Sequence, residues 1–588
     1  MCGEGHLPVA ATPHYRSAAP ISGSVDPAEV SFAFDMHVSR IGEKPRVTFP
    51  FSDEQWAALD ALGHKVDADL ATNDVHLTMG GEPTFVSIDD YESDEWNTKA
   101  DGATKRIRAT DLVRRLRDRF APHGVLHYGQ GKSYPGEPLP RWAFGLYWRK
   151  DGVPLWRNLD LIATGESDMT PPVAAAGRFI EVVAEHIGLT ADNVVPAYED
   201  PVARMIKEGE LPPNVDPKNP KIEDPAERAR ILRDFARPVS EPVGYALPVQ
   251  RWNAPASASR WMSEVWRLRR GRLFLAAGDS PIGLRLPLRS LPYVPPASYP
   301  HVIPADPFAE RGELAEPEAL AERLSRQRAN LVASPESTAP REPEILSEDG
   351  SDIAVRTALA VEPRDGKLCV FLPPLERLED FYELLAAIEA AATELNMPVY
   401  LEGYPPPSDP RLNVIKVTPD PGVIEVNIHP AGSWGEAVQI TSALYEEARL
   451  ARLGTDKFMI DGRHTGTGGG NHVVLGGATA AQSPFLRRPD LLKSLILYWQ
   501  RRPSLSYLFS GLFIGPTSQA PRVDEARQDS LYELEIALAQ VPPPDGGAPP
   551  PPWLVDRLFR HLLVDVTGNT HRAELCIDKL FSPDSSSG

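Results

Sequence analysis

The stretch LNVIKVTPDPGVIEVNI, residues 412–428, reads as two β-strands joined by a turn and indicates the type of fold. Its strands are predicted at Leu412–Val417 and Val423–Ile428, on either side of the turn sequence TPDPG. Upstream, apolar periodicity predicts a strand, a long helix and a second strand, at Lys367–Leu372, Leu375–Leu395 and Pro398–Glu402. The chain is therefore predicted to be α+β, with a largely antiparallel sheet and flanking helices.

Four segments nearer the N-terminus extend this pattern. Residues 74–87 predict a strand that is interrupted at Gly80 and Gly81. Residues 110–120 predict an amphipathic helix with Thr110 as its N-cap. The other two are a strand, an Asp-Gly turn and a second strand over residues 142–158, and a helix over residues 172–188.

Composition limits the class of protein. The chain has 588 residues, of which 42% are apolar, so a sizeable core can form and a disordered chain is excluded. Proline contributes 61 residues, about twice its ordinary share. This excess predicts long proline-rich linkers, chiefly over residues 296–350, which enclose one short helix at about residues 315–330, and over residues 541–553.

Net charge and hydropathy limit which classes of partner and which cellular location the sequence predicts. The net charge of −20 argues against nucleic acid as the main partner, because phosphate binding needs clustered positive charge. The sequence has neither a signal pattern nor a run of about 18 apolar residues, so no membrane segment and a cytoplasmic location are predicted. The cysteines, Cys2, Cys369 and Cys576, are too widely spaced to predict a disulfide framework or a CxxC metal site.

Carboxylates and polar side chains occur on two of the predicted strands. Glu82 follows two glycines, and a strand carboxylate can bind a hard cation such as Mg²⁺. Glu425, Asn427 and His429 are spaced by two, so one strand would point all three to the same face as a metal or substrate surface. The alternatives are a solvent-facing Glu82 at a bulge, and an ordinary exposed face of a half-buried sheet for the other three.

A glycine-rich loop lies between two histidines in DGRHTGTGGGNHVVLGG, residues 461–477. Such a loop offers backbone N–H groups to phosphate or carboxylate oxygens, although a flexible surface loop is the alternative. An ordinary P-loop is excluded because no lysine follows the glycines, and the helix of a dinucleotide-binding fingerprint is missing. The candidate residues are His464, Gly466, Gly468, Gly469, Gly470, Asn471 and His472.

Charged side chains recur near the C-terminus. Arg522 and Arg527 are suited to bidentate binding of carboxylate or phosphate, or they belong to an exposed helix start. Arg572, Glu574 and Cys576 alternate along a predicted strand, for which an edge strand with a cross-strand ion pair is the alternative.

In this order, the segments resemble the carboxylate–amine ligases of the glutamine synthetase and glutamate–cysteine ligase superfamily. More closely, the chain is similar to the amidoligase domain fused behind bacterial transglutaminase-like domains, over about residues 40–583. The most specific strings of the resemblance are GGEPTFVSIDDYESDEWNTKA and FIGPTSQAPRVDEAR.

The resemblance implies ATP and Mg²⁺ as cofactors, with Glu82 and Glu425 as Mg²⁺ ligands. Asn427 and His429 are added to the metal candidates because they share the polar strand. The loop Gly466–Gly470, flanked by His464 and Asn471, would close over phosphate. The catalytic candidates are His472, between the metal and an amino-acid carboxylate, Arg522 and Arg572, which would stabilise phosphoryl charge, and Glu574.

The resemblance also predicts how the chain is divided. Residues 1–30 would be the end of a transglutaminase-like domain, without its Cys-His-Asp nucleophile. Residues 40–295 and 351–583 would be two parts of the ligase domain, separated by the linker-rich residues 296–350 and followed by a disordered end, residues 584–588. Because relatives continue into a further strand, the chain is expected to be a fragment.

The predicted function is formation of an amide from a glutamate- or peptide-like carboxylate and an amine, through an acyl-phosphate. Two alternatives stay open. One is a metal-dependent hydrolase that uses Glu425, His429 and His472 on a bound water. The other is a non-catalytic module that presents substrate to a transglutaminase-like partner.

Overall fold

A computed structural model gives the architecture of most of the chain. The residues that it describes are 52–73, 75–77, 79–131, 140–163, 171–202, 241–252, 260–266, 268, 271–278, 280–291, 311–333, 355–458, 464–467, 469–472, 475–476, 483–502, 504–505, 528–543, 551, 553–564, 574–577 and 580.

Helices and strands alternate irregularly along these residues. The helices are α1 (Asp53–Thr72), α2 (Ala103–Phe120), α3 (Val173–His186), α4 (Pro317–Ala333), α5 (Leu378–Leu395), α6 (Trp434–Leu450), α7 (Pro484–Arg487), α8 (Pro489–Gln500), α9 (Gln528–Ala539) and α10 (Trp553–Phe559). The strands are β1 (His76–Leu77), β2 (Gly80–Ser87), β3 (Val125–Gln130), β4 (Trp142–Arg149), β5 (Val195–Tyr198), β6 (Gly244–Pro248), β7 (Gln250–Trp252), β8 (Arg260–Met262), β9 (Leu273–Phe274), β10 (Ala358–Arg364), β11 (Lys367–Leu372), β12 (Val399–Gly403), β13 (Leu412–Asp420), β14 (Val423–Asn427), β15 (Leu453–Gly454), β16 (Asp456–Phe458), β17 (His464–Gly466), β18 (Gly469–His472) and β19 (Leu475–Gly476).

One large sheet organises the molecule. Twelve strands follow the order β15-β2-β14-β13-β4-β3-β12-β11-β10-β6-β5-β9, and β18 also pairs with β2. Within this sheet the pairs β11–β12, β12–β3 and β5–β9 are parallel, and the other pairs between its described strands are antiparallel. The predicted α+β class with a largely antiparallel sheet is confirmed.

The hairpin predicted from residues 412–428 lies inside this sheet. Asp420 pairs with Val423, so Pro421 and Gly422 alone form its loop. Gly422 has a φ of +71°, and a Cβ at this position would lie 2.5 Å from the carbonyl oxygen of Asn97. Glycine is therefore required at this turn for both its backbone conformation and its close approach to another segment.

The two faces of the sheet are covered by different helices. On the face away from the candidate site, Phe85, Ile424 and Val426 are buried against side chains of α2 and α6. On the other face, α3, α4 and α5 cover one half of the sheet, where Val361 and Val370 are fully buried. The remaining half of this second face carries the polar residues described below.

Two predictions in the N-terminal part of the chain differ from the structure. Helix α2 begins at Ala103, so Thr110 is not its N-cap; the Thr110 hydroxyl donates instead to the carbonyl of Arg106 at 2.8 Å. The second strand predicted within residues 142–158 does not form, because Leu155 and Trp156 are buried in the core beneath α3 and α5. Their apolar character reflects tertiary packing rather than strand pairing.

The C-terminal helices have a core of their own. Leu492, Leu534 and Phe559, from α8, α9 and α10, are buried together with Ile577. Residues 574–577 are irregular where a strand was predicted at residues 570–581. None of the helices within the described ranges is long and apolar enough to cross a membrane.

Candidate active site

Strand register brings the two predicted carboxylates to one face of the sheet. Glu425 of β14 pairs directly with Thr84 of β2. The Ile428 N–H donates to the Gly81 carbonyl at 3.1 Å, which continues the same register and sets Glu82 opposite Asn427. Because side chains alternate along a strand, Glu82, Thr84, Glu425 and Asn427 share this face.

Strand β13 adds two polar side chains to the same face. Lys416 pairs with Asn427, and Thr418 pairs with Glu425. We call the surface formed by Glu82, Thr84, Lys416, Thr418, Glu425 and Asn427 the carboxylate face. The residues that alternate with it, including Phe85, Val417 and Ile424, are at most 1% exposed on the opposite side. This apolar backing fixes which way the polar side chains point.

A short hydrogen bond orients one of the carboxylates. The Asn427 side-chain amide donates to Glu425 Oε1 at 2.8 Å. Both residues are half-buried, as is Glu82. Two carboxylates and an amide are hard oxygen donors of the type that Mg²⁺ takes, usually with one or two carboxylates and retained water. Among the residues whose positions are described, no three His, Cys, Asp or Glu side chains converge as a metal-binding cluster.

His429 lies away from the carboxylate face. Its ring centroid is 5.3 Å from that of Phe120 and 5.0 Å from that of Trp148, and both rings pack against the core on the opposite side of the sheet. Burial lowers the pKa of His429 to about 4. The expectation that Glu425, Asn427 and His429 share one face is wrong for His429, because β14 ends at Asn427 and the alternation ends with it.

The glycine-rich segment forms a strand beside Glu82. In β18, Gly470 pairs with Glu82, Asn471 with Gly81 and His472 with Gly80. Thr467 precedes this strand; its hydroxyl donates to the Thr84 carbonyl and accepts from the Thr84 hydroxyl, both at 2.9 Å.

The other loop candidates are only partly placed. His464 begins β17 and Gly466 ends it, where it pairs with Asp456. Gly469 pairs with Pro83. Gly468 lies outside the described residues, as do the side chains of His464, Asn471 and His472. The phosphate-binding role of this segment stays a prediction.

The structure describes the C-terminal candidates only in part. Arg522 and Arg572 lie outside the described residues. Glu574 is half-buried at a bend, and Ile577, three residues on, packs into the core of the C-terminal helices. Their catalytic roles stay predictions.

The structure adds two residues that sequence patterns did not single out. Lys416 is exposed, and its row across the sheet continues through Gly145 of β4 to His127 of β3. His127 is 2% exposed, and burial, reinforced by the charge of Lys416, lowers its pKa to about 4. A lysine within VIKV resembles any exposed strand lysine, so only the register of β13 could reveal its neighbours.

The acidic loop between β2 and α2 supports the β13–β14 hairpin and does not line the carboxylate face. Lys105, at the start of α2, is fully buried and donates to the carbonyls of Lys99, Ala100 and Asp420 at 2.8, 3.0 and 2.7 Å. Burial lowers the pKa of Lys105 to about 8. This lysine therefore fastens the loop to the tip of the β13–β14 hairpin, and so helps to hold Glu425 in place.

Comparison with known proteins identifies one family. The family model described as "Putative amidoligase enzyme (DUF2126)" matches residues 26–588, which is nearly the whole chain. No curated protein and no solved structure matched the chain.

Proposed function

Because the chain belongs to the amidoligase family matched over residues 26–588, we propose that it is an ATP- and Mg²⁺-dependent carboxylate–amine ligase. The observation that carries the proposal is the pairing of β2 with β14 and β18. It sets Glu82 and Glu425 on one face with a glycine-rich strand alongside. These are the residue types that a metal–nucleotide site needs, and the strands have an apolar backing that keeps them rigid.

The proposed reaction has two steps. A carboxylate oxygen of the substrate attacks the γ-phosphorus of ATP, and the bond to the β-phosphate oxygen breaks, which releases ADP and leaves an acyl-phosphate. An amine then attacks the acyl carbon, the bond to the phosphate oxygen breaks, and the nitrogen loses a proton to give the amide. The proposed substrate is glutamate- or peptide-like, and a transglutaminase-like domain is the proposed partner.

The donor set of the carboxylate face fits a magnesium ion. Glu82 and Glu425 would hold the ion, and Asn427, which already donates to Glu425, would keep that carboxylate oriented. When bound, Mg²⁺ would neutralise charge on the phosphate oxygens. Arg522 and Arg572 are proposed to neutralise charge from the other side. Catalysis would then consist mainly of positioning and electrostatic stabilisation.

The test is ATP-dependent release of phosphate, measured with and without a carboxylate and an amine. We expect release to require both co-substrates and to match amide formation one for one. Glu425→Gln should lower this rate by about 100-fold or more, because Gln keeps the shape but loses the charge that a hard cation needs. The matched control is Glu446→Gln on the exposed face of α6, which should leave the rate unchanged.

Two other outcomes would replace the proposal. Metal-dependent hydrolysis of an amide without ATP would identify a hydrolase, although His429 lies against Phe120 and Trp148 rather than beside Glu425. Binding of Mg²⁺ and nucleotide without turnover, in the presence of a range of acids and amines, would identify a substrate-presenting module.

A further inference from the structure

A cavity of about 100 Å³ lies between α4 and α5, away from the carboxylate face. Its apolar wall includes Leu155, from the segment between β4 and α3, and the buried Leu320 and Leu324 of α4. On the opposite wall, Ala386 and Ala390 of α5 contribute only small side chains. Because an engineered cavity of about 150 Å³ holds the six carbons of benzene, a cavity of this size is suited to about four carbons.

The cavity also has a buried carboxylate beside an arginine. Glu389 of α5 is 5% exposed, and its Oε1 accepts from the backbone N–H groups of Arg157 and Asn158 at 2.7 and 2.9 Å. Its Oε2 lies 3.9 Å from Arg157 Nε, which is beyond hydrogen-bond distance. The Arg157 side chain is 51% exposed, so the cavity reaches the surface at this residue. The two charged side chains are therefore adjacent at the entrance of the cavity but do not hydrogen-bond to each other.

A histidine adds a further polar group to this cavity. His186, the last residue of α3, lines it, and the Nε2 atom of this histidine lies 3.5 Å from Glu394 Oε2. Its Nδ1 is buried and has no hydrogen-bond partner among the residues that the structure describes. Burial, reinforced by the charge of Arg328, lowers the pKa of His186, so the ring is neutral near pH 7. Because the neighbouring carboxylate favours the ring proton on Nε2, the Nδ1 atom is a hydrogen-bond acceptor.

These groups match the parts of an aliphatic α-amino acid. Glu389 Oε2 and His186 Nδ1 are acceptors for the N–H groups of an ammonium, and the Arg157 guanidinium is a bidentate donor to a carboxylate. The ammonium and carboxylate of an α-amino acid are attached to the same carbon, so they require an acidic and a basic group as close together as Glu389 and Arg157 are. A branched side chain of about four carbons matches the volume and the apolar wall of the cavity.

We propose that this cavity binds a free α-amino acid with a branched aliphatic side chain, such as leucine. The ammonium would bind to Glu389 and His186, the carboxylate to Arg157, and the side chain would pack against Leu320 and Leu324. Because α4 and α5 form opposite walls, the bound amino acid would stabilise the packing of these two helices. The inference goes beyond the proposed function and does not depend on it.

The test is calorimetry on the full chain with leucine and three analogues that each lack one part of it. Leucinamide lacks the carboxylate, isocaproate lacks the ammonium, and glycine lacks the side chain. We expect leucine to bind with a dissociation constant of about 1 mM or lower, and each analogue to bind about tenfold or more weakly than leucine. Thermal unfolding measured in parallel should show the largest stabilisation with leucine.

Three variants locate the site. Arg157→Gln should weaken leucine binding by about tenfold or more and leave leucinamide binding unchanged, because the lost contact is with the carboxylate. Ala386→Leu should abolish leucine binding, because the added carbons fill the cavity. The matched control is Arg178→Gln, since Arg178 of α3 is 50% exposed and does not line the cavity. This control should bind leucine like the wild type.

Several results would overturn the inference. A wild-type chain that does not bind leucine, or that binds leucine and leucinamide equally well, has no amino-acid site of this kind. Leucine binding that persists in Ala386→Leu, or that is unchanged in Arg157→Gln, would place the amino acid elsewhere. Because Arg157 is half exposed, Arg157→Gln decides the question even where Ala386→Leu does not fold. Absence of ATP-dependent amide formation would overturn the proposed function but not this inference.

Discussion

Two halves of one sheet face differ in what covers them. From β12 to β6 the face is apolar, and Val361, Val370 and Leu401 are at most 1% exposed beneath α3, α4 and α5. From β2 to β13 the same face carries the six polar residues of the carboxylate face, of which Glu82, Glu425 and Asn427 are half-buried. The backbone pairing is continuous between the two halves through β4 and β3.

The difference shows that side-chain identity, not backbone architecture, separates the core from the site. On the opposite side of the strands, the site half is backed by an apolar cluster, whereas the other half is backed by an apolar cluster together with the ion-paired Glu362, Arg364 and Glu402. On the face that they share, one half stabilises the fold by burying apolar area, and the other leaves polar groups accessible at some cost in stability. His127 lies where the two halves meet, and it is buried like a core residue although it is polar.

The largest expected effect comes from placing a charge in the apolar half. Val370→Asp should lower the free energy of unfolding by about 3–5 kcal/mol or more, because it buries an unpaired carboxylate in the apolar core. Thr418→Asp, at a position on the carboxylate face, should cost about 1 kcal/mol or less. Urea unfolding of both variants measures the difference. Similar losses of stability would mean that the two halves do not differ as described.

Adjacent residues of β14 should separate stability from ligand binding. Ile424 is fully buried on the opposite face, and Ile424→Ala should cost about 2–5 kcal/mol through lost contacts and a cavity. Glu425→Gln should change stability by about 1 kcal/mol or less while removing Mg²⁺-dependent nucleotide binding. Thermal unfolding and calorimetry on both variants provide the test. Normal nucleotide binding by Glu425→Gln would make Glu425 an ordinary residue of the sheet surface.

Two buried histidines should make stability depend on pH. Burial lowers the pKa of both His127 and His429 to about 4, against about 6.5 in an unfolded chain. Below about pH 6.5 the unfolded chain binds protons at these histidines while the folded chain does not, so the free energy of unfolding falls. The stability that is fully present above about pH 6.5 is therefore lost as the pH falls through 4. Each histidine contributes about 3 kcal/mol over that range.

Replacing one of these histidines should remove its share of the pH dependence. His429→Phe preserves an aromatic ring between Phe120 and Trp148. Between pH 7.5 and pH 4, the free energy of unfolding of this variant should fall by about 3 kcal/mol less than that of the wild type. Comparison with the wild type at each pH cancels other titrating groups, such as Glu402, whose pKa burial raises to about 7. An identical curve for His429→Phe would show that His429 does not titrate as its burial requires.

Local sequence patterns predicted much of the fold and less of the site. Strands β11 and β12 follow from short apolar runs, which are buried on both faces, and β13 and β14 follow from alternation of apolar and polar residues. Helices α3 and α5 follow from the helical spacing of their apolar residues. The start of α2 did not follow, because the buried Lys105 looks like a surface residue until its three carbonyl acceptors are known.

For the site, Glu82 and Glu425 were each suggested by their neighbours in sequence, but their common face depends on a register between distant strands. The same register places Lys416 on the carboxylate face. His429 lies away from that face because β14 ends at Asn427. Pairing of distant strands is set by the packing of the whole sheet, so no local pattern specifies it.

The smallest expected effect concerns the attachment of the glycine-rich strand to β2. Thr467→Val removes the hydroxyl that donates to the Thr84 carbonyl and accepts from the Thr84 hydroxyl, which should cost about 1–2 kcal/mol. Because these bonds join Thr467, two residues before β18, to Thr84 of β2, amide hydrogen exchange should accelerate in residues 469–472 and stay unchanged in β11 of the apolar half. Thr467→Ser keeps the hydroxyl and should exchange like the wild type. Equal protection of residues 469–472 in Thr467→Val and the wild type would mean that backbone pairing with β2 is sufficient to hold the strand in place.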